Sequence, residues 1–464
     1  MSVFNNIYSL GVWRIAHLAI LAYLRVEICK KPMNVKNIVK GAVALSPIAL
    51  LLTIYLAGSI IAGDFYKIPI TAAFVVAAIY AIAVMRGGNT LEEKIKTFSR
   101  GAANSRVMLM VWIFVLAGAF AALAKSMGAV DSTVALTLQL IPQRFLPAGI
   151  FIAACFISMS IGTSVGTIVA LTPVVTALAA QIGCEVAWIV AIVVGGAFFG
   201  DNLSFISDTT IAATQSQGCS MRDKFKTNFL LVLPAAIITV IIYLFSGAAT
   251  AVAEPVTFTL IDCVKILPYL VVIITALCGI NVLVVLVIGI LISAIIGVCT
   301  ASIGVVDIFS SLGTGIASMG ELIIVTMLAG GLLEIVKVNG GLEFLIRAVT
   351  YKVRSQRAAE FSIAVLTALS NLCTANNTIA ILSTGDIVRD ISRTFDIAPR
   401  RSASIMDTTS CFVQGVIPYG AQLLMASGLA AVSPVAIIPH LYYPALIGIM
   451  VLLSIIFRIP RCND

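Results

Sequence analysis

Charged residues and histidines are scarce in this sequence. Asp, Glu, Lys and Arg make up 11% of the 464 residues, there are two histidines, and 60% of the residues are hydrophobic. Soluble domains carry about 25% charged residues, so this composition indicates a protein that crosses a membrane several times. Basic residues outnumber acidic ones by 29 to 21, but they lie in loops between apolar segments, where Lys and Arg mark the cytoplasmic side. The positive charge therefore does not indicate a nucleic-acid partner.

The sequence also lacks the patterns of disulfide, metal and secretory proteins. The ten cysteines form no C-x-x-C pair, and most of them lie inside apolar runs, which is typical of small core residues. The N-terminus has no charged start followed by an apolar run and a cleavage site, so no cleaved signal peptide is expected. No cofactor is predicted apart from transported ions.

Apolar segments separated by short basic loops recur along the chain. They predict an all-α polytopic membrane protein with about 10–11 transmembrane helices of roughly 20 residues each. We interpret residues 1–40 as an N-terminal extension, because the segment 8–24 is short and contains Arg14 and His17; it is either an interfacial or a marginal transmembrane helix. The basic loops and the C-terminus are placed in the cytoplasm.

Two apolar segments are interrupted near the middle, by SIGTSVGT at 160–167 and by TANNT at 374–378. Each is either one kinked helix or two half-helices that enter and leave on the same side. If the first segment crossed the bilayer, the later basic loop containing Lys224 would fall outside, whereas a hairpin places it in the cytoplasm. We therefore predict re-entrant hairpins at 147–181 and 361–386.

The two halves of the chain resemble each other. Three pairs of segments match in the same order: LAGAFAALAK at 116–125 with LAGGLLEIVK at 328–337, SIGTSVGTIVAL at 160–171 with NLCTANNTIAIL at 371–382, and GDNLS at 200–204 with MDTTS at 406–410. The side count starts the first half inside and the second outside. We predict inverted repeats at 41–250 and 251–464, each with a hairpin followed by a broken helix, at 187–214 and 402–430.

The stretch FFGDNLSFISDTTIAAT, 198–214, places two aspartates, an asparagine and five hydroxyl side chains in an apolar surrounding. An ionised carboxylate inside the bilayer costs roughly 2.5–3.5 kcal/mol on insertion scales, so Asp201 and Asp208 need a partner such as a bound cation or a proton. The alternative is that these acids cap the ends of a broken helix.

Hairpin tips and broken helices leave backbone groups unpaired in mid-membrane, which is tolerable where a ligand or a water cavity satisfies them. Together they form an oxygen-rich pocket, and hard cations such as Na⁺ prefer oxygen ligands. The predicted binding residues are Thr163, Ser164, Thr167, Asp201, Asn202, Ser204, Ser207, Asp208 and Thr209 of the first half, and Asn376, Asn377, Thr378, Asp407, Thr408 and Thr409 of the second. The predicted Na⁺ ligands are Asp201, Asp208 and Asp407. For the tips, the alternative is turn and capping chemistry.

The motif GDNLSFISDTTIAA, with GTSVGTIVALTP at 162–173, resembles the NhaC-type sodium/proton antiporters of a wider superfamily of elevator-type ion transporters. The resemblance runs from residue 41 to the C-terminus and implies an elevator-type fold, with ion binding by the motif residues from Asp201 to Thr209. Phe205 stands where the family often has proline. Carriers of this superfamily are often dimers, so a homodimer in the cell membrane is expected.

By analogy with the superfamily, both hairpins belong to a transport unit that moves against a scaffold. The scaffold would consist of the spans near 41–86 and 264–300, and segments near 130–142 and 341–352 would be the connecting arms. The predicted partners are membrane lipid, Na⁺ and H⁺.

The predicted function is secondary active exchange of Na⁺ for H⁺ by alternating access, because both ions compete for one buried carboxylate. The alternative is a Na⁺- or H⁺-coupled carrier or exchanger of a small organic acid or amino acid, since the family also includes malate/lactate exchangers and amino-acid carriers. An intramembrane aspartyl protease would need GxGD and YD motifs; FFGD lacks the first glycine, and no YD motif accompanies it. No enzyme activity is predicted.

Overall fold

The computed structural model describes residues 35–58, 69–86, 90–204, 207–246, 259–278, 280–350 and 353–460. Every regular element in these ranges is a helix, which confirms the all-α prediction. The predicted marginal helix at 8–24 and the variant motif position Phe205 lie outside the described residues.

The chain forms its helices in this order. In the first half they are α1 (Val35–Leu52) with a π-helical turn (Thr53–Ala57), α2 (Ile70–Val84), α3 (Leu91–Ala102), α4 (Ser105–Ser126), α5 (Ala129–Leu140), a 3₁₀ turn (Gln143–Phe145), α6 (Leu146–Ile161), α7 (Ser164–Ile182), α8 (Val186–Leu203), α9 (Asp208–Gln217) and α10 (Met221–Phe245). In the second half they are α11 (Leu260–Lys265), α12 (Leu267–Leu277), α13 (Val282–Cys299), α14 (Val305–Ser318), α15 (Gly320–Val338), α16 (Gly341–Thr350), α17 (Gln356–Thr374), α18 (Asn377–Thr394), α19 (Pro399–Val416), α20 (Ala421–Ala430), α21 (Pro434–Ile437), a 3₁₀ turn (Ile438–His440) and α22 (Tyr442–Phe457).

The described residues contain seven helices that are long and apolar enough to cross a membrane, or eight if one bent pair counts as a single span. Three shorter apolar helices accompany them. The seven include both arms of the first predicted hairpin, α6 and α7. A multi-pass helical membrane protein is therefore confirmed.

Both predicted hairpins have the same backbone geometry at the turn. Gly162 ends α6 with a φ of 76°, and Ala375 ends α17 with a φ of 48°. Each is followed by one extended residue, Thr163 or Asn376, before the next helix starts. A left-handed residue followed by an extended one reverses the chain and opens a new helix N-terminus. The two turns therefore present the N-terminal ends of α7 and α18.

The helix α8 lies against α6 at backbone distance. A Cβ atom at Gly200 would lie 2.3 Å from the Met159 nitrogen, and one at Gly196 would lie 2.5 Å from the Ala154 Cβ. Small residues four apart allow membrane helices to approach this closely. The Ser158 hydroxyl adds a hydrogen bond to the Ala197 carbonyl at 2.6 Å. This contact positions the end of α8 beside the first hairpin.

The helices pack in two groups. One group comprises α6 to α10 and α17 to α22, and the other comprises α1 to α4 and α11 to α15; contacts are denser within each group than between them. Helix α5 joins α4 to the first group, and α16 leads from α15 into α17. The segments predicted as arms, 130–142 and 341–352, thus coincide largely with α5 and α16.

A buried ion pair fastens the start of the second hairpin to the end of the chain. The Arg401 guanidinium, at the start of α19, donates to Glu360 of α17 at 3.0 Å and 3.4 Å. It also donates to Ser454 at the hydroxyl (2.5 Å) and carbonyl (2.8 Å) and to the Ile459 carbonyl at 3.2 Å. Arg401 is one of the basic residues that follow the second hairpin, and it is 3% exposed because α19 turns its side chain onto Glu360.

Candidate functional site

The carboxylate of Asp201 lies at the meeting point of both hairpin tips. Asp201 is 5% exposed. Its Oδ1 accepts a hydrogen bond from the Ser207 hydroxyl at 2.6 Å. Its Oδ2 accepts one from the Ser164 hydroxyl at 3.1 Å and one from the Asn377 amide at 3.2 Å. In the described part of the chain, its partners are therefore neutral side chains.

The helix ends explain why these groups converge. Ser164 and Asn377 are the first residues of α7 and α18, and Ser207 precedes the first residue of α9. A helix N-terminus carries a partial charge equivalent to about +0.5 elementary charge. Several such ends next to Asp201 favour a negative charge on its carboxylate. The carboxylate and the serine hydroxyls still have oxygen lone pairs that a cation can use.

A second buried carboxylate, Asp407 of α19, is paired with a lysine. Lys224 Nζ contacts Asp407 Oδ2, and the side chains are 1% and 0% exposed. The Asn228 amide donates to the same Oδ2 at 3.1 Å and to Asn202 Oδ1 at 2.8 Å. Lys224 also donates to the Asn202 carbonyl at 2.6 Å. Because Asn202 follows Asp201 directly, both carboxylates belong to one connected polar network.

The structure brings most of the predicted residues to this network, in different roles. Asn202 donates to the Thr408 hydroxyl at 3.3 Å, and the Ser207 and Thr209 hydroxyls lie 2.9 Å apart. Ser204, which directly follows α8, and Thr409 of α19 are buried. At the first tip, the Thr167 hydroxyl donates to the Thr163 carbonyl.

At the second tip the two asparagines differ. Asn376 Oδ1 accepts from the Ile379 backbone N–H at 2.9 Å, which is the capping role that the sequence left open as an alternative. Asn377 Oδ1 accepts from the Thr378 N–H at 3.0 Å while its amide reaches Asp201. Only the second asparagine of the pair contacts the carboxylate.

The three aspartates predicted as Na⁺ ligands lie in different surroundings. No group of three or more His, Cys, Asp or Glu side chains that could hold a metal ion occurs among the described residues. Asp208 is exposed and is the first residue of α9, where the helix N-terminus stabilises an acid. Asp407 already has a cationic partner. Asp201 is the one of the three that is both buried and without a basic partner in the described ranges.

Sequence reasoning missed Lys224, Asn228 and Gln422. Gln422 of α20 donates to the Ser164 hydroxyl at 3.0 Å and so helps to orient a hydroxyl that donates to Asp201. Lys224 was counted as a loop charge. The spacing of Lys224, Thr227 and Asn228 could have indicated this role, because residues three and four apart share one helix face. All three are buried in the structure.

The predicted correspondence of Asp201 with Asp407 does not match their positions in the helices. Asp201 is near the end of α8, just before the break, whereas Asp407 is in the middle of α19. The polar residue near the end of α19 is Gln414, whose amide donates to the Ala375 carbonyl at the second tip at 3.0 Å. In position along its helix, Gln414 is the better counterpart of Asp201.

Comparisons with known proteins find similarity to antiporters. A family model described as the Na⁺/H⁺ antiporter family matches residues 8–248 and 250–459. The Na⁺/H⁺ antiporter NhaC of Alkalihalophilus pseudofirmus is 22% identical over 423 residues, 83% of this chain and 89% of that protein. NhaC of Bacillus subtilis is 22% identical over 383 residues, 74% and 83% of the two chains. A malate-2H⁺/Na⁺-lactate antiporter of Bacillus subtilis is 25% identical over 207 residues, 44% of this chain and 43% of that protein.

Proposed function

The chain belongs to the Na⁺/H⁺ antiporter family and is a multi-pass membrane antiporter of cations and protons, and from that premise we propose that it exchanges Na⁺ for H⁺ at Asp201. One observation supports this assignment. Asp201 is buried at the meeting point of two hairpin tips and a helix break, and its partners in the described chain are hydroxyl and amide groups. A buried carboxylate without a basic partner costs several kcal/mol unless a bound cation or proton offsets its charge.

Competition at one carboxylate is sufficient for exchange. The Ser164 and Ser207 hydroxyls donate to ionised Asp201, and each can rotate to offer a lone pair to Na⁺ or to a carboxyl proton. Carboxylate and hydroxyl oxygens are the ligands that a hard cation prefers. Na⁺ and a proton would neutralise the same charge, so binding of one excludes the other.

The packing in two groups supports an elevator-type movement. The Asp201 cluster lies entirely within the group of α6–α10 and α17–α22, while α1–α4 and α11–α15 form the other group. In our proposal the first group moves against the second, with α5 and α16 as connecting arms, and presents Asp201 to each side in turn. The two halves are proposed as inverted repeats, a relationship typical of such carriers.

Exchange in proteoliposomes with an enclosed pH dye tests the assignment. Asp201→Asn should abolish proton movement driven by Na⁺ or Li⁺, because the amide cannot exchange a proton for a cation. Asp208→Asn and Asp307→Asn should retain it, since both acids are exposed; Asp307 is a control on α14. Normal exchange by a correctly inserted Asp201→Asn protein would refute the proposal.

A carrier of a small organic acid or amino acid is the second candidate, and the partial malate/lactate relative is its main support. The site chemistry is less favourable to it. A substrate carboxylate would meet Asp201, and the basic side chain of the network, Lys224, already contacts Asp407. A thermal-shift screen distinguishes the two: stabilisation by Na⁺ or Li⁺ alone supports the ion exchanger, and further stabilisation by malate, lactate or an amino acid supports the carrier.

The setting in the cell is also proposed. The basic loops and the C-terminus would face the cytoplasm by the positive-inside rule, in the cell membrane. A homodimer is expected from the superfamily, and crosslinking in native membranes tests it.

A further inference from the structure

The buried ion pair of Lys224 and Asp407 carries a consequence for how many cations the site binds. The Lys224 ammonium contacts three oxygen atoms: Asp407 Oδ2, the Asn202 carbonyl at 2.6 Å and the Thr210 hydroxyl at 2.8 Å. An ammonium has three N–H donors, so its donors are all used. Carboxylate, carbonyl and hydroxyl oxygens are the kinds of ligand that a bound alkali cation would take.

Asp407 has a second carboxylate oxygen that does not contact Lys224. Its Oδ1 is buried and has no hydrogen-bond partner in the described part of the chain. The oxygen atoms around Lys224 Nζ could therefore bind an alkali cation, and in this structure they bind the Lys224 ammonium.

The net charge of the network sets the number of monovalent cations that neutralise it. Two buried carboxylates, Asp201 and Asp407, and one ammonium, Lys224, leave one negative charge. One monovalent ion at Asp201 neutralises it, and a second would leave an uncompensated positive charge inside the membrane.

We propose that Lys224 is a tethered cation that occupies a second cation position, at Asp407, and thereby limits the site to one transported cation. This inference rests on the proposed function, because it takes Asp201 as the exchanging group. It assigns to Lys224 a positioning role that sets the number of bound ions, and it does not require Lys224 to touch the transported ion.

Equilibrium binding of ²²Na⁺ to purified full-length protein tests the inference, at alkaline pH so that protons compete weakly. Wild type and Lys224→Arg should bind one Na⁺ per chain, and Lys224→Gln should bind two, because the freed Asp407 position accepts an ion. Adding Asp407→Asn to Lys224→Gln should restore one. Asp201→Asn should bind none, and Asp201→Asn with Lys224→Gln should bind one.

The outcomes separate the two claims. If Lys224→Gln is folded and still binds one Na⁺, Lys224 is a structural clamp and the inference is overturned, while the role of Asp201 stands. If Asp201→Asn still binds Na⁺, the proposed function fails independently. If Lys224→Gln does not fold, wild type and the double variant Lys224→Gln with Asp407→Asn decide. Two Na⁺ ions per chain in wild type would overturn the inference, and one in each protein would support it.

Discussion

The ion pair between Glu360 and Arg401 allows a quantitative prediction about stability. Replacing Glu360 by Gln keeps the shape but leaves the guanidinium without its counter-charge. Breaking a buried pair by removing one partner typically costs 3–5 kcal/mol. Arg401 retains acceptors on Ser454 and Ile459, and Gln still offers one oxygen, so we expect the lower end, about 3 kcal/mol. That corresponds to about a hundredfold change in the folding equilibrium.

Denaturant unfolding of the purified protein in detergent measures this loss. The control Glu343→Gln, at an exposed position of α16, should change the free energy of unfolding by less than about 0.5 kcal/mol. The double variant Glu360→Leu with Arg401→Met removes both charges, and we expect it to be within about 1 kcal/mol of wild type or more stable. A loss below about 1 kcal/mol for Glu360→Gln would refute the reasoning, because it would place the pair among solvated surface ion pairs.

Two further predictions follow from local contacts. Asn377→Ala should weaken Na⁺ binding by about tenfold or more, because it removes the amide that holds the second tip against Asp201 and so leaves the site less preorganised. Asn376→Ala should cost about 1 kcal/mol of stability through the lost helix cap and leave Na⁺ affinity nearly unchanged. Equal effects in a ²²Na⁺ titration would contradict the distinction. Hydrogen bonds from Ser132 and Thr259 lower the pKa of Asp262, so the stability it contributes should be complete above its unfolded pKa of about 3.9 and disappear as the pH falls through the lower folded value. The melting temperatures of wild type and Asp262→Asn should therefore differ at neutral pH and converge in acid, and a difference independent of pH would exclude this cause.

Much of the architecture follows from the sequence because the bilayer imposes simple rules. Polar interruptions in apolar segments located both turns: the first hairpin was predicted at 147–181, and α6 and α7 cover Leu146–Ile182. The second was predicted to end at 386, but α18 continues to Thr394. Charged residues were taken as the end of the helix, yet they continue an amphipathic helix whose buried face includes Val388 and Ile391. The resemblance to NhaC-type antiporters is confirmed by the family match.

The sequence predicted which residues lie at the site better than it predicted which of them contact each other. Asp201, Ser164, Ser207 and Asn377 were all among the predicted residues, because only a few polar side chains occur in the apolar stretches. Lys224 was misplaced in a loop, although it is buried in α10, and ion binding by Asp208 stays a prediction. Counting basic residues along the chain assigns them to loops, whereas burial depends on which helix face each side chain occupies. The inverted relationship of the halves stays a prediction.

The close packing of α6 on α8 restricts how Asp201 can become accessible. Because Gly196 and Gly200 bring the α8 backbone into contact with α6, separating the two helices would lose this packing along the whole contact. We therefore expect α6 and the end of α8 that carries Asp201 to stay together in any rearrangement of the site. The second tip is held by individual hydrogen bonds, from Gln414 to Ala375 and from Tyr419 to Leu372, and such bonds can be exchanged for water one at a time. We therefore expect a local opening of the site to begin at the second tip.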